Sequence, residues 1–179
     1  CSVVPNIVAA PSPGGIRAHS PFIFLFVGTL DYSPNKDAAI FFCNDVLPLL
    51  RKIATVPFKV RIVGRNPDKT IESLANGSDV EVIPNPPDVG PFYREADACI
   101  APIRSGGGTR IKILEAFSYN LPVVTTTIGA EGLDVEPSVN VELGDTAADF
   151  AHACASVLID PERRRRLAAR SDERRPRDR

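Results

Sequence analysis

No stretch of this chain approaches the about 20 consecutive apolar residues that a membrane-spanning helix needs, and no signal peptide is visible. Histidine is scarce: His19 and His152 stand at no ligand spacing. The four cysteines, Cys1, Cys43, Cys99 and Cys154, are far apart and form no C-x-x-C pair. The common metal-binding spacings are therefore absent, and no metal site is expected. Cys43, Cys99 and Cys154 lie in apolar stretches and read as buried thiols, which suits a reducing compartment. Neither a Walker A sequence nor a G-x-G-x-x-G fingerprint occurs, so two large nucleotide-binding classes find no support. There is no internal repeat and no sign of a second domain. The first residue is Cys1 rather than Met, which predicts a fragment of a longer protein.

What is present suits one globular domain with a real core. The chain has 179 residues, 44% of them hydrophobic, and a net charge of −1. That charge is uneven. Glu162 to Arg179 holds nine arginines against four acidic residues, and the remainder is correspondingly acidic. Such an arginine-rich tail can touch nucleic acid or acidic lipid. Here it reads as a solvated or disordered end, and no nucleic acid is expected as a partner.

Residues 1–21 are rich in Pro, Gly and Ser and read as a lead-in segment and linker. Phe22 to Val27 is a continuous apolar run, as in a strand buried on both faces. Ser33 and Pro34 read as an N-cap and first-turn proline. The helix they open is expected to run to about Ile53, with Pro48 kinking or breaking it. Lys59 to Val63, Val80 to Ile83, Ala98 to Ala101 and Val139 to Leu143 read as further strands. Short helices fall at Pro67 to Ala75 and Gly90 to Ala96, and longer ones at Thr146 to Leu158 and from Pro161. Strands alternating with helices predict an α/β fold, a Rossmann-like parallel sheet with helices on both faces. Ligands bind such sheets outside the carboxyl ends of the strands. Three expected loops at those ends carry glycine: Gly28, Gly64, and Gly106 to Gly108.

Residues 99–132 organise the rest, reading as strand, glycine loop, helix, strand and second glycine loop. Gly106, Gly107 and Gly108 lack a Cβ, so their amides can approach a ligand closely. Thr109 is a candidate N-cap. Ile111, Leu114 and Phe117 recur at helical spacing, with Ile113 beside them. Arg110 and Lys112 then fall in the first turn, where cations oppose the helix dipole. Free amides, glycines and two cations at one helix end point to an anion, best a phosphate. Glu115 follows about one turn later, where a carboxylate can accept hydrogen bonds from sugar hydroxyls. The plainer alternative is a strand-to-helix turn that needs glycine, with two solvated cations.

Several segments together resemble a known family. They are Phe26 to Asn35, Arg61 to Gly64, Gly106 to Ala116, Pro122 to Thr126 and Gly129 to Gly132. In order and spacing they look like the C-terminal half of a GT-B retaining glycosyltransferase of group 1, also called family four. The resemblance covers residues 22–160, and Val3 to Asn6 resembles the family's interdomain connection. It implies a chain divided into 1–21 (interdomain segment), 22–160 (nucleotide-sugar-binding domain) and 161–179 (arginine-rich helix or tail). It implies a UDP- or GDP-sugar as donor, and a donor site formed by Gly28, Thr29, Asn35, Lys36, Gly64, Ile83, Gly106, Gly107, Gly108, Thr109, Arg110, Lys112 and Glu115. Backbone amides and cations would hold the diphosphate, Glu115 the ribose, and the loop from Ile83 to Asp88 the base. No cofactor or metal is implied, since helix dipoles and cations supply the charge. The acceptor, a glycan or a membrane-associated glycolipid, would be held by an N-terminal domain outside this chain. The resemblance places the protein in the cytoplasm, with peripheral contact at the inner membrane face.

Two departures stand out. The family pairs the helical glutamate with an upstream one, and Gly107 holds that position here. Many members carry Arg where Thr29 stands and a Lys-Gly pair near Pro34 and Asn35; Lys36, or Arg110 and Lys112, would supply the lost charge. No catalytic residue is identified, and the chain alone is expected to bind donor weakly or not at all and not to turn over. Two other readings stay open: a non-catalytic nucleotide-binding or scaffold remnant of the fold, and a sugar-nucleotide epimerase of the same architecture.

Overall fold

The computed structural model describes residues 21–106 and 110–172. Gly107, Gly108 and Thr109, the segment 1–20 and the last seven residues of the arginine-rich tail lie outside the described residues.

Six strands form one all-parallel sheet in the order β3-β2-β1-β4-β5-β6. They are β1 (Phe22–Thr29), β2 (Phe58–Arg65), β3 (Val80–Pro84), β4 (Ala98–Ala101), β5 (Val123–Thr125) and β6 (Glu142–Leu143). β1 and β4 carry no polar alternation because both faces are covered, whereas β2 alternates Lys59 and Arg61 with Val60 and Ile62. Phe24, Leu25, Val60, Val63, Ala98, Cys99, Val123 and Val124 are completely buried. From β1 the chain winds outward to β3, then returns to β4 on the other side of β1 and winds outward again. The order therefore reverses between β1 and β4, leaving a crevice at their carboxyl ends.

The helices are α1 (Ser33–Phe41), α2 (Leu47–Ile53), α3 (Lys69–Glu72), α4 (Gly90–Glu95), α5 (Ile111–Ser118), α6 (Thr127–Ala130), α7 (Ala147–Ile159) and α8 (Pro161–Asp172). Several expected boundaries need correction. Tyr32, not Ser33, is the N-cap residue of α1, and it makes no side-chain cap bond. The defect expected at Pro48 takes a specific form. A single π-helical turn, Phe42–Val46, precedes it, and Pro48 falls in the first turn of α2, where a missing N–H is tolerated. The expected second glycine loop begins as the short helix α6, capped by the Thr126 hydroxyl, which accepts from Gly129 N at 2.8 Å. Of Val139 to Leu143 only Glu142 and Leu143 pair with β5.

The first part of the arginine-rich stretch is folded rather than a solvated end. Leu167 of α8 is completely buried. Arg163 grips the buried Glu142 carboxylate with bonds of 2.6 and 2.9 Å. Arg164 donates to the carbonyls of Val157 and Leu158 at 2.8 Å, satisfying the open end of α7. Its guanidinium also lies 5.2 Å from the Phe22 ring centre. Cys99 and Cys154 are buried as expected, and Cys43 is partly exposed. Among the described residues no helix is long and apolar enough to cross a membrane.

Candidate functional site

A cavity of about 950 Å³ opens at the carboxyl ends of β1, β2 and β4. Its walls come from five places: Gly28 to Asn35, Gly64 and Arg65, Pro86 to Val89, Ser105 and Gly106, and α5 from Arg110 to Glu115. Val27 and Ala101 lie deeper in it. Glycine makes this geometry. Gly28 and Gly64 are register partners in β1 and β2, and a Cβ on Gly64 would stand 1.7 Å from the Gly28 carbonyl oxygen. Gly106 has φ +100°, and a Cβ there would meet the Pro34 ring at 2.8 Å. The close approach of the glycine loop to α1 is what brings β4–α5 and β1–α1 to one crevice.

The structure places eight of the sequence-nominated residues on this cavity: Gly28, Thr29, Asn35, Gly64, Gly106, Arg110, Lys112 and Glu115. Gly107, Gly108 and Thr109 lie outside the described residues. Two nominated residues lie off the cavity lining. Ile83 sits within β3, opposite Val63, and does not line the cavity; Pro86, Pro87, Asp88 and Val89 beyond it do. Lys36 also lies off the cavity lining, because the Asp68 carboxylate at the N-cap of α3 holds its amine. Arg104 likewise pairs with Asp37, at 2.6 and 3.0 Å, and stacks over Phe41.

Lys112 is different. Its amine donates to the Asn35 side-chain oxygen and lies 4.8 Å from the Phe26 ring centre. Among the described residues it has no carboxylate within ion-pair reach. Burial, the largest cause, pulls its pKa down to about 8 from 10.5, and the nearby Arg110 charge acts in the same direction. Asn35 is itself fixed: buried, it donates from its amide to the Thr29 carbonyl at 2.9 Å. A Cβ on Gly28 would collide with that amide at 2.8 Å.

Arg110 occupies the N-cap position of α5 rather than its first turn. Its guanidinium donates to the Ile128 carbonyl at 2.6 Å and to the Gly106 carbonyl at 3.2 and 3.3 Å. It thereby braces the glycine loop against α6. Glu131 stands 3.6 Å away, and the buried Arg110 Nε has no partner among the described residues.

The expected apolar face of α5 is rotated. Ile113 and Ala116 enter the core, while Ile111 and Leu114 are more than half exposed. This rotation turns Lys112 and Glu115 toward the cavity. Behind the cavity wall, Tyr93 of α4 is buried and its hydroxyl donates to Glu115 Oε2 at 3.0 Å. Nothing local in the sequence marks Tyr93, since a tyrosine in a short helix is ordinary core material. Tyr32, in the turn between β1 and α1, is half exposed and lines the cavity. The site thus offers a buried cation with only neutral partners at Lys112, a second cation at Arg65, two carboxylates that accept from neutral donors at Glu115 and Asp88, and apolar surface at Pro86, Pro87 and Val89. That set can take an elongated molecule with an anionic part, hydroxyl groups and a flat end. No group of three or more His, Cys, Asp or Glu that could hold a metal ion occurs among the described residues.

The sequence pattern of the family described as "Glycosyl transferases group 1" matches residues 21–160. An uncharacterized 44.6 kDa protein of the cps region of Klebsiella pneumoniae is 30% identical over 135 residues, 71% of this chain and 34% of that protein. The chain therefore spans about a third of the length of this relative. Anabaena HepE, solved in complex with UDP and glucose, superposes with a TM-score of 0.67 at 14% identity, over 85% of this chain and 42% of that one. The C-terminal domain of the group 1 glycosyl transferase LpcC of Francisella tularensis gives a TM-score of 0.67 at 15% identity. That match covers 84% of this chain and 82% of the LpcC domain.

Proposed function

The chain belongs to the group 1 glycosyltransferases and has their GT-B fold, and from that premise we propose that it is the donor-binding half of a retaining glycosyltransferase. The observation that carries this reading is the pairing on α5 of Lys112, a cation with only neutral hydrogen-bond partners, and Glu115, a carboxylate with no ion pair among the described residues. Both line the switch-point cavity.

In this reading the donor is a nucleotide sugar. Its diphosphate lies at Lys112 and the amino end of α5, where the helix dipole adds to the positive potential. The amide of Gly106 adds to that contact. Glu115 accepts hydrogen bonds from the ribose hydroxyls, and the base rests against Pro86 to Val89. Positive charge from the protein stabilises the departing diphosphate, so no divalent ion is assigned a role. The sugar passes, with retention of anomeric configuration, to a glycan or glycolipid acceptor held by a domain beyond this chain. UDP is the first donor base to test, because Anabaena HepE was solved with UDP and glucose. A cytoplasmic site and peripheral contact with a membrane-borne acceptor belong to the same proposal.

A second reading, a nucleotide-binding remnant without activity, draws on Gly107, which stands where the family carries a glutamate. Calorimetric titration of the complete protein with UDP, GDP and their sugar conjugates, beside Glu115→Ala, tests the donor site. One diphosphate is expected to bind, weakened by about tenfold in Glu115→Ala. A complete, folded protein that binds none of them sinks the donor-site reading. Product analysis on the complete protein, with donor and acceptor, then separates a transferase from a remnant.

A further inference from the structure

We propose that Tyr93 is a positioning residue that holds the Glu115 carboxylate toward the ribose and so sets the protein's preference for ribonucleotides. This rests on the reading of Glu115 as the ribose contact. The geometry is specific. Tyr93 does not line the cavity; it lies behind Glu115, buried to 1% exposure. Its single hydroxyl proton has two acceptors in range, Glu115 Oε2 at 3.0 Å and the Lys112 backbone carbonyl at 3.5 Å. The carboxylate is nearer and charged, so it takes the proton. That leaves Oε1 of Glu115 open to a ligand in the cavity. Because the donor is neutral, it orients the carboxylate without cancelling its charge, which an Arg or Lys at the same place would do.

The donor itself cannot drift. The Tyr93 ring stacks on Tyr119 with centroids 5.0 Å apart and planes 7° from parallel. Tyr93 belongs to α4, which follows the Pro86–Val89 wall directly, and Tyr119 closes α5. The stack therefore fixes the base-side wall and the ribose-side helix to one another. Burial, the largest cause, pushes the Tyr93 pKa far above its ordinary value, and the neighbouring Cys99 and Glu115 act in the same direction. The phenol thus stays protonated, and stays a donor, across the whole working pH range. An ordinary core tyrosine would need none of this alignment with a cavity-facing carboxylate.

The test is a double-mutant cycle of Tyr93→Phe and Glu115→Ala, titrated with UDP, 2′-deoxy-UDP, 3′-deoxy-UDP and inorganic pyrophosphate, with the guanosine set in parallel. Tyr93→Phe keeps the stacked ring and removes one oxygen. The wild-type protein is expected to prefer ribonucleotides, and Tyr93→Phe to lower that preference by about fivefold. Pyrophosphate affinity should stay unchanged, and Tyr93→Phe should have no further effect once Glu115 is alanine. Equal weakening of ribo- and deoxynucleotides, or an unchanged preference, overturns the proposal. If Glu115→Ala leaves the ribose preference intact, or no nucleotide binds, the reading of Glu115 itself fails and the proposal falls with it. The single Glu115 variant reads that outcome alone, so the two failures are distinguishable.

Discussion

The β1–α1 corner and the β4–α5 corner meet at one cavity, and each brings a lysine whose local sequence suits the same anion. Their fates differ. In the β1–α1 corner the charges are already matched: Lys36 by Asp68, and Asp37 by Arg104. In the β4–α5 corner Lys112 meets an amide oxygen and the face of a ring, and Arg110 meets two backbone carbonyls at its closest contacts. An incoming diphosphate reaches Lys36 only by displacing a carboxylate. At Lys112 it supplies a counter-charge that the protein does not. A cation's usefulness to a ligand thus depends less on its presence at a loop than on what it is already bonded to.

The largest expected effect separates the two lysines directly. Lys112→Met keeps the apolar stem and should cost about 1.5–3 kcal/mol of diphosphate binding, roughly tenfold or more. Lys36→Met should change the affinity by no more than about twofold, as exposed pairs contribute little. Calorimetry on both variants decides, and equal losses would break the contrast.

The amine of Lys112 also predicts a pH profile. In the free protein it loses its proton near pH 8 rather than 10.5. Affinity for UDP should therefore decline as the pH rises from 7 to 10 in the wild type, and this decline should be absent in Lys112→Met. Its contribution to folding stability moves the opposite way. Across pH 8 to 10.5 the unfolded chain holds a proton on this amine that the folded one has released, so Lys112 adds stability as pH rises, against the loss from the buried thiols of Cys43, Cys99 and Cys154, which ionise first in the unfolded chain. Urea denaturation at the two ends of the window should show a larger loss of stability, or a smaller gain, in Lys112→Met than in the wild type.

Asn35→Asp would make the two corners alike by placing a carboxylate on Lys112. The amine should then hold its proton to higher pH, and diphosphate affinity should fall by about tenfold, because the charge is already compensated. The smallest effect belongs to Asp68→Asn. It frees Lys36 while keeping a good N-cap for α3. Binding should tighten by less than about twofold.

Much of the scaffold could be read from residue patterns. The unbroken apolar run from Phe22 marks a doubly covered strand, and the glycines at Gly28, Gly64 and Gly106 mark the strand ends that build the cavity. The start of α7 was legible near Thr146, which the structure makes its N-cap, the hydroxyl accepting from Asp149 N at 3.1 Å. Other local signals had more than one solution. On α5 both Ile111–Leu114 and Ile113–Ala116 are apolar at helical spacing, and periodicity does not say which pair the core receives. Proline at position 48 announces a defect in the hydrogen-bond ladder, while its form, a π-helical turn ahead of it, is chosen by packing around Phe42, which meets Phe150 edge-on at 6.0 Å. The arginines after Pro161 look solvated by composition, yet Arg163 and Arg164 find Glu142 and the end of α7.

By itself, the sequence determined the kind and order of the elements, the parallel sheet they imply, and the glycine loops that line the cavity. These follow from patterns only a few residues long: apolar runs, helical spacing, and backbone positions where a Cβ does not fit. The tertiary structure alone decided which of the nominated groups are available. Lys36 is claimed by a carboxylate 32 residues away, Lys112 by an amide 77 residues away, and Glu115 by a tyrosine 22 residues away. Charge compensation and desolvation depend on neighbours in space, and those neighbours exist only once the sheet has assembled.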